Sequence, residues 1–403
     1  MNLQIWLENL CRYETLAQLK RSDFYLESGP SIEAFLAAPQ IRAFPGATPR
    51  LESFLRVVQW NIEKGKQFAR ILEKLQTHSV LKWADVVILN EADCGMIRSG
   101  NRDIARELAE NLGMHVAFAP AHFELTKGTD GERDLAGENC ESLQGNAVLT
   151  RYPIVEACTV PLPVSFEPYE FHEKRFGRRN CLWAKIRLRK GSLWVGSVHL
   201  ELRNTPRCRA AQVRHIMEHL PGSDGDRYVL GGDLNTNSFG RGSSFRTLRS
   251  ILRLLRTPSA RMKKMLLHPE SGREPLFEIL KQCGFTWEDL NSSGETARAA
   301  LNSLEEAVFL PKSLASLVQR RLAPYQGYLC FKLDWLLGKN IVSVPDGTSD
   351  RRAQIPALKP AVVEGVNFGP DRISDHLPIF ADIGVGGLDS SEPEICEGAV
   401  AVG

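Results

Sequence analysis

Strand-like apolar runs recur along this 403-residue chain with amphipathic helical stretches between them. The runs are FLRVVQWNI, ADVVILNEAD, GNAVLTRYPI, CLWAKIRL, LWVGSVHLEL, RYVLGGDLN, KLDWLLG and LPIFADIG. FARILEKLQTH, RDIARELAENLG and RAAQVRHIMEHL space their apolar residues three and four apart, and Gly113 stands where a helix would stop. Strands alternating with helices predict a layered α/β fold with helices covering sheets. Several strands follow one another with no helix between them, so the sheets are predicted to be mixed.

Residues 1–50 read as a helical lead-in closed by AFPGATPR. Leu3, Trp6, Leu7, Leu10 and Tyr13 are the expected buried positions of its first helix. Residues 51–385 hold the alternating pattern, interrupted at about 241–325 by a helix-rich insert, and the Gly/Ser/Glu-rich residues 386–403 predict a disordered tail. Net charge is only +2, which makes no global electrostatic case for nucleic acid, so any anion site must be local. The nine cysteines include no Cys-x-x-Cys pair, which argues against a disulfide framework and a thiolate zinc site. Reduced thiols, a polar N-terminus and no run of transmembrane length make a cytoplasmic protein the expectation.

Six of the apolar runs meet an acid, amide or imidazole at one end: Asn61, Glu91, His199, Asp233 with Asn235, Asp334, and Asp375 with His376. Polar residues recurring at strand ends predict one convergent site. Carboxylates and amides without cysteine favour a hard cation, Mg2+ or Mn2+, bound through oxygen. The histidines offer a general base or phosphate contacts. A Gly-rich Lys-Ser/Thr phosphate loop, a Gly-x-Ser-x-Gly elbow and a His-Glu-x-x-His helix are all missing from the sequence. Metal-assisted hydrolysis of a phosphate ester fits what remains.

In this order QWNIEKG, VVILNEAD, GNAVLTRYPI, GSVHLE, GGDLNT, LDWLL and SDHLPI resemble the endonuclease/exonuclease/phosphatase superfamily, from about Val57 to Ile383. The resemblance implies a deoxyribonuclease I-like four-layered sandwich, with two mixed β-sheets flanked by helices. It implies that Glu91 and Asn61 bind metal with Asp375 near it. It further implies that Asp233 and Asn235 orient water and hold phosphate, that His376 faces the scissile phosphate with Asp334 orienting it, and that His199 contacts phosphate. His199 has a competing reading as a satisfied core histidine. Glu63 and Asp93, each two residues past a site position, would share its strand face, and Asn146 is expected to shape a turn before a strand.

RGSSFRTLRSILRLLRTPSARMKK, residues 241–264, carries eight basic residues and no acid. On a helix, Arg246, Arg249, Arg253 and Arg256 form one stripe beside an apolar face of Phe245, Leu248, Ile251, Leu252 and Leu255. The commoner fate of such a segment is a solvated surface helix. An anion track into the cleft and contact with a membrane surface are its alternatives. HEKRFGRRN is a second basic cluster. The leading expectation is a metal-dependent phosphodiesterase or nuclease, with nucleic acid among the candidate substrates. A phosphatase or phosphodiesterase acting on a phospholipid or inositol phosphate stands beside it. A non-catalytic binding module ranks below both, because every motif residue is present.

Overall fold

A computed structural model describes residues 3–384 apart from 130, 166, 241–243, 301–315, 319, 322, 324–326, 364 and 367–371. The tail expected at 386–403 lies outside the described residues. Helices α1 (Leu3–Arg12), α2 (Leu16–Lys20) and α3 (Asp23–Ala37) lead in. Thr15 and Ser22 cap α2 and α3 by accepting the amides of Gln18 and Tyr25. Then follow β1 (Gln40–Arg42), β2 (Leu55–Asn61), α4 (Phe68–Thr77), β3 (Val86–Cys94), α5 (Ile104–Leu112), β4 (His115–Glu124), β5 (Leu143–Thr150) and β6 (Ile154–Pro161). Next come β7 (Arg175–Gly177), β8 (Asn180–Arg187), β9 (Ser192–His199), α6 (Pro206–Glu218) and β10 (Tyr228–Asp233). The chain continues through α7 (Ser244–Arg256), α8 (Ser259–Leu267), α9 (Leu276–Gln282) and β11 (Ala297–Ala300). It closes with β12 (Tyr328–Phe331), β13 (Asp334–Lys339), β14 (Val342–Ser343), β15 (Ala361–Val362) and β16 (Ile379–Gly384).

One sheet has the order β1-β4-β5-β3-β2-β16-β14, with β7 on β4 and β15 on β16; the other runs β13-β10-β9-β8-β6. Both are mixed: β2 pairs with β3, and β9 with β10, in parallel, and the remaining pairs are antiparallel. The period-2 alternation of each strand assigns its side chains to two layers. Leu55, Val57, Val86 and Ile88 of the first sheet meet Leu182, Val195, Val229 and Leu336 of the second in the layer between the sheets. Val58, Trp60, Val87 and Leu89 face outward onto α4 and α5 through Ile71, Leu75, Ile104 and Leu108. Trp183, Trp194, Leu230 and Trp335 face the opposite way onto α6 and α9 through Val213, Ile216, Leu276 and Leu280. The result is the helix–sheet–sheet–helix sandwich expected from the sequence.

The lead-in helices belong to the first outer layer. Trp6, Leu7 and Leu10 are buried in it, with Leu3 and Tyr13 packed against its edge. α7 and α8 pack with the β11–β12 ribbon in a fourth cluster that includes Ile251, Leu254, Met265 and Phe331. Two readings are corrected. GNAVLTRYPI is not one strand: β5 ends at Thr150 and β6 starts at Ile154 in the other sheet, with Pro153 at the corner. Asn146 shapes no turn; it lies inside β5, where it accepts from Asn90 Nδ2 at 2.9 Å and donates to the Asn180 carbonyl at 3.0 Å.

Candidate active site

The layer between the sheets is apolar over most of its length and turns polar at one edge. Along β2 the inward-facing residues are Leu55, Val57, Gln59 and Asn61. Along β9 they are Leu193, Val195, Ser197 and His199; along β10, Val229, Gly231 and Asp233. β13 runs antiparallel to β10, so its first residue, Asp334, arrives at the same edge. Strand register fixes the level: Asp233 stands opposite His199 on one side and Asp334 on the other, while Asn61 stands opposite Asn90 in the facing sheet. The two glycines before Asp233 permit the close packing this requires. A Cβ on Gly231 would meet Ile88 Cδ1 of the opposing sheet at 2.7 Å, and one on Gly232 would meet the Val198 carbonyl oxygen at 1.8 Å.

Backbone irregularity supplies the remaining aim. Between Leu89 and Ala92 the β3–β5 register slips, so one extra residue bulges from β3. Within the bulge Glu91 takes φ 56°, a left-handed conformation that costs about 1–3 kcal/mol for a non-glycine residue. Its carboxylate thereby lines the cleft while Asn90 points between the sheets, donating to Asn146, Ser197 Oγ and the Val198 carbonyl. Asn235 also has a positive φ, 51°; its amide N–H donates to Asp233 Oδ1 at 2.9 Å and its Nδ2 to the Leu200 carbonyl.

All eight residues expected from the sequence come together. His376 Nδ1 lies 2.7 Å from Asp334 Oδ2, and its Nε2 lies 3.8 Å from Asp233 Oδ2. The second distance is too long for a hydrogen bond and leaves a gap between the groups. His199 Nε2 sits 3.2 Å from the same Asp233 oxygen, and Asn61 Nδ2 donates to it at 3.3 Å and to Glu91 Oε1 at 3.2 Å. Asp334 Oδ1 accepts from Gln59 Nε2, its amide donates to Thr296 Oγ1, and the Trp60 indole holds the His376 carbonyl. Burial pushes the His376 imidazole down, but Asp334 and Asp233 outweigh it and hold the pKa well above the ordinary value. Burial works against ionisation of Asp233 and Glu91 too, yet His199 leads the neighbours that hold both below the usual carboxylate range. Asp375 differs: burial, with Glu63 and Glu91 beside it, pushes it up to about 6 despite His376.

That crowding of Glu63, Glu91 and Asp375 fits a divalent cation. Oxygen donors converge, Lys66 and Arg372 pair with Glu63, and among the described ion pairs no guanidinium or ammonium pairs with Glu91 or Asp375, which repel each other. Away from the cleft lining, His215 and Glu218 on α6 and His219 just after it bring their ligand atoms within 4.8 Å of one another at half-buried to exposed positions.

Two secondary candidates separate. Glu63 lies just beyond β2 in a short 3-10 turn, where its carboxylate accepts the Asp375 amide at 3.0 Å and pairs with Lys66 and Arg372 on the cleft wall. Asp93 does not share the face of Glu91, because the bulge intervenes; Arg98 holds it by two hydrogen bonds of 2.8 and 3.0 Å. Gln59, Asn90 and Thr296 support the site and went unnoticed in the sequence. His122, which matches no motif and has no role assigned from the sequence, lines the cleft with Nε2 3.2 Å from Glu124. Gln59, Asn90 and His122 sit inside strands and Thr296 just before β11, and only the tertiary pairing gives each a task. Of the HEKRFGRRN cluster, Arg175 is taken up by Glu124 and Glu173 and Arg179 by Glu201, while Arg178 is exposed at the cleft.

The cleft above these residues encloses about 560 Å3. Among the described residues no helix is long and apolar enough to cross a membrane, and every described cysteine is free of a disulfide. An endonuclease/exonuclease/phosphatase from Beutenbergia cavernae DSM 12333 has a similar structure at 19% identity, with 83% of this chain and 72% of that one covered and a TM-score of 0.48. A family protein from Leptotrichia buccalis C-1013-b is similar at 14% identity, 82% and 99% coverage and a TM-score of 0.43. D. rerio TDP2 complexed with a single-strand DNA product matches at 14% identity, 82% and 99% coverage and a TM-score of 0.42. No curated protein matches the sequence. The Endonuclease/Exonuclease/phosphatase family model matches residues 58–376, and the chain belongs to this family of phosphoesterases.

Proposed function

We propose that the cleft hydrolyses a phosphate ester by in-line attack of water, with Mg2+ or Mn2+ held by Glu91, Asn61 and Asp375. The observation that carries this reading is the line Asp334–His376–Asp233. Its first contact is a 2.7 Å hydrogen bond that fixes the imidazole, and its second is a 3.8 Å gap into the cleft. When bound, the cation would neutralise a phosphoryl oxygen and charge developing on the leaving group. Asp233 is surrounded by donors, Asn61 Nδ2, the Asn235 amide and His199, which is the environment of an ionised acceptor. It orients water and takes its proton as the new P–O bond forms and the ester P–O bond breaks. His376, oriented by Asp334, and His199 present imidazole edges to the phosphoryl oxygens. Asn235 braces the turn that holds Asp233 and faces the phosphate.

The test is hydrolysis of a panel by purified full chain: plasmid DNA, single-stranded RNA, an abasic duplex, sphingomyelin vesicles and an inositol polyphosphate. Each is run with Mg2+ and then with excess chelator, beside a His376→Ala protein. Chelator-sensitive, His376-dependent turnover of a panel member is expected and names its substrate class. Turnover that persists with chelator or in His376→Ala would overturn the reading.

A further inference from the structure

The basic segment of the insert is not absorbed by the cleft chemistry. It folds as α7, breaks at Pro258 and resumes as α8, and no acid occurs between Ser244 and Leu267. α7 has three faces. Ile251 and Leu254 are buried and form part of the cleft wall. Phe245, Leu248 and Leu252, spaced by three and four residues, form a second stripe that points outward at 74, 43 and 37% exposure. The apolar face expected from the sequence is therefore divided: Ile251 is buried and Leu255 packs against the same cluster, while Phe245, Leu248 and Leu252 are exposed. Arg249, Arg253 and Arg256 are exposed along the third face. Burial first, and then the like charges of Arg273 and Arg249, hold Arg253 below its ordinary value, and its Nη1 donates to the Ser238 carbonyl at 3.5 Å.

We propose that α7 is a docking helix for an anionic lipid bilayer, with Phe245, Leu248 and Leu252 entering the acyl boundary and Arg249, Arg253 and Arg256 meeting the headgroup phosphates. An exposed aromatic and two leucines beside an arginine stripe, on a helix anchored by its inner face, match the requirements of an interface that is apolar below and anionic above. A nucleic-acid backbone would satisfy the arginines and leave Phe245 in water. The inference rests on the outward faces of α7 and is independent of the phosphoesterase reading. If that reading also holds, the helix that borders the cleft is the one that meets lipid phosphate esters.

The experiment is co-sedimentation of the full chain with large unilamellar vesicles of phosphatidylcholine, alone or mixed with phosphatidylserine. Binding to the mixed vesicles and not to phosphatidylcholine alone is expected. Arg249→Glu/Arg256→Glu should weaken it by about fivefold or more per arginine. Phe245→Ser/Leu252→Ser should weaken it by about tenfold or more. These positions are exposed, and an unchanged far-UV spectrum and melting temperature will show that the variants fold. Phe245→Trp should add a blue-shifted emission component only with the anionic vesicles. Absence of binding to anionic vesicles, binding that neither double variant changes, or an unshifted Phe245→Trp emission would each overturn the proposal. So would a loss on Arg249→Glu/Arg256→Glu confined to a single-stranded RNA probe.

Discussion

Glu91 and Asp93 stand two residues apart on β3 and meet opposite fates. Asp93 is fully buried and held by Arg98, Ser99 and Gln144. Its neighbourhood continues through Glu124, Glu173 and Arg175 as a cluster in which carboxylates and guanidiniums face each other. Glu91 lines the cleft with the Asn61 amide and the His199 imidazole beside it and no guanidinium among its described ion pairs. A carboxylate locked by arginines has its charge already answered, and it serves the fold. Under the proposed function, the carboxylate left to weak donors beside Asp375 and Glu63 is the one that would take a cation. One bulged residue in β3 makes the difference, by sending the two side chains into different environments.

Breaking each side of this comparison should have a different signature. His376→Ala removes the imidazole fixed by Asp334 and should cost activity on the order of 10² to 10⁴ with a small effect on folding, read from turnover and from chemical denaturation of the same preparations. Arg98→Met should do the reverse. It leaves Asp93, Glu124 and Glu173 without their shared partner and should destabilise the chain by about 3–5 kcal/mol in urea unfolding, while protein that stays folded keeps its turnover. A smaller effect sharpens the same contrast. Burial pushes the Glu173 carboxyl up, but Arg175, Lys64 and Arg98 outweigh it and bring the pKa down to about 2 from 4.5. A depressed acid adds stability that is complete above its unfolded pKa and is lost as pH falls through the folded one. Stability should therefore fall between about pH 4.5 and 2, and Glu173→Gln should flatten that stretch of the stability–pH curve. An unchanged slope would remove Glu173 from the cluster's account.

Much of this site was legible because strand periodicity and residue chemistry coincide at its edge. Asn61, His199 and Asp233 end apolar runs whose alternation also predicts which face they occupy, and Asp334 begins one. The supporting shell was hidden for the same physical reason. Gln59 and Asn90 lie within apolar runs and Asn146 reads as a turn residue, and only the apposition of two sheets turns them into partners. The bulge at Glu91 left no signal, since a side chain's face cannot be counted across an irregularity that depends on the neighbouring strand. β4 escaped notice because HVAFAPAHFE is buried along nearly its whole length and carries Pro120, which blurs the strand pattern. The strands β1, β7, β14 and β15 have two or three residues each, too few for any alternation to register. The helical pattern of the insert was clear, but its exposure was not: periodicity predicts an apolar stripe and says nothing of what covers it.

The most direct measurement is calorimetric titration of Mn2+ into the wild-type chain, Glu91→Gln and Asp93→Asn. The account predicts that Glu91→Gln weakens cation binding by about tenfold or more while Asp93→Asn binds as the wild type does. Equal affinities in all three proteins, or a loss confined to Asp93→Asn, would contradict the division of labour along β3 and with it the assignment of the cleft as a cation-assisted phosphoesterase centre.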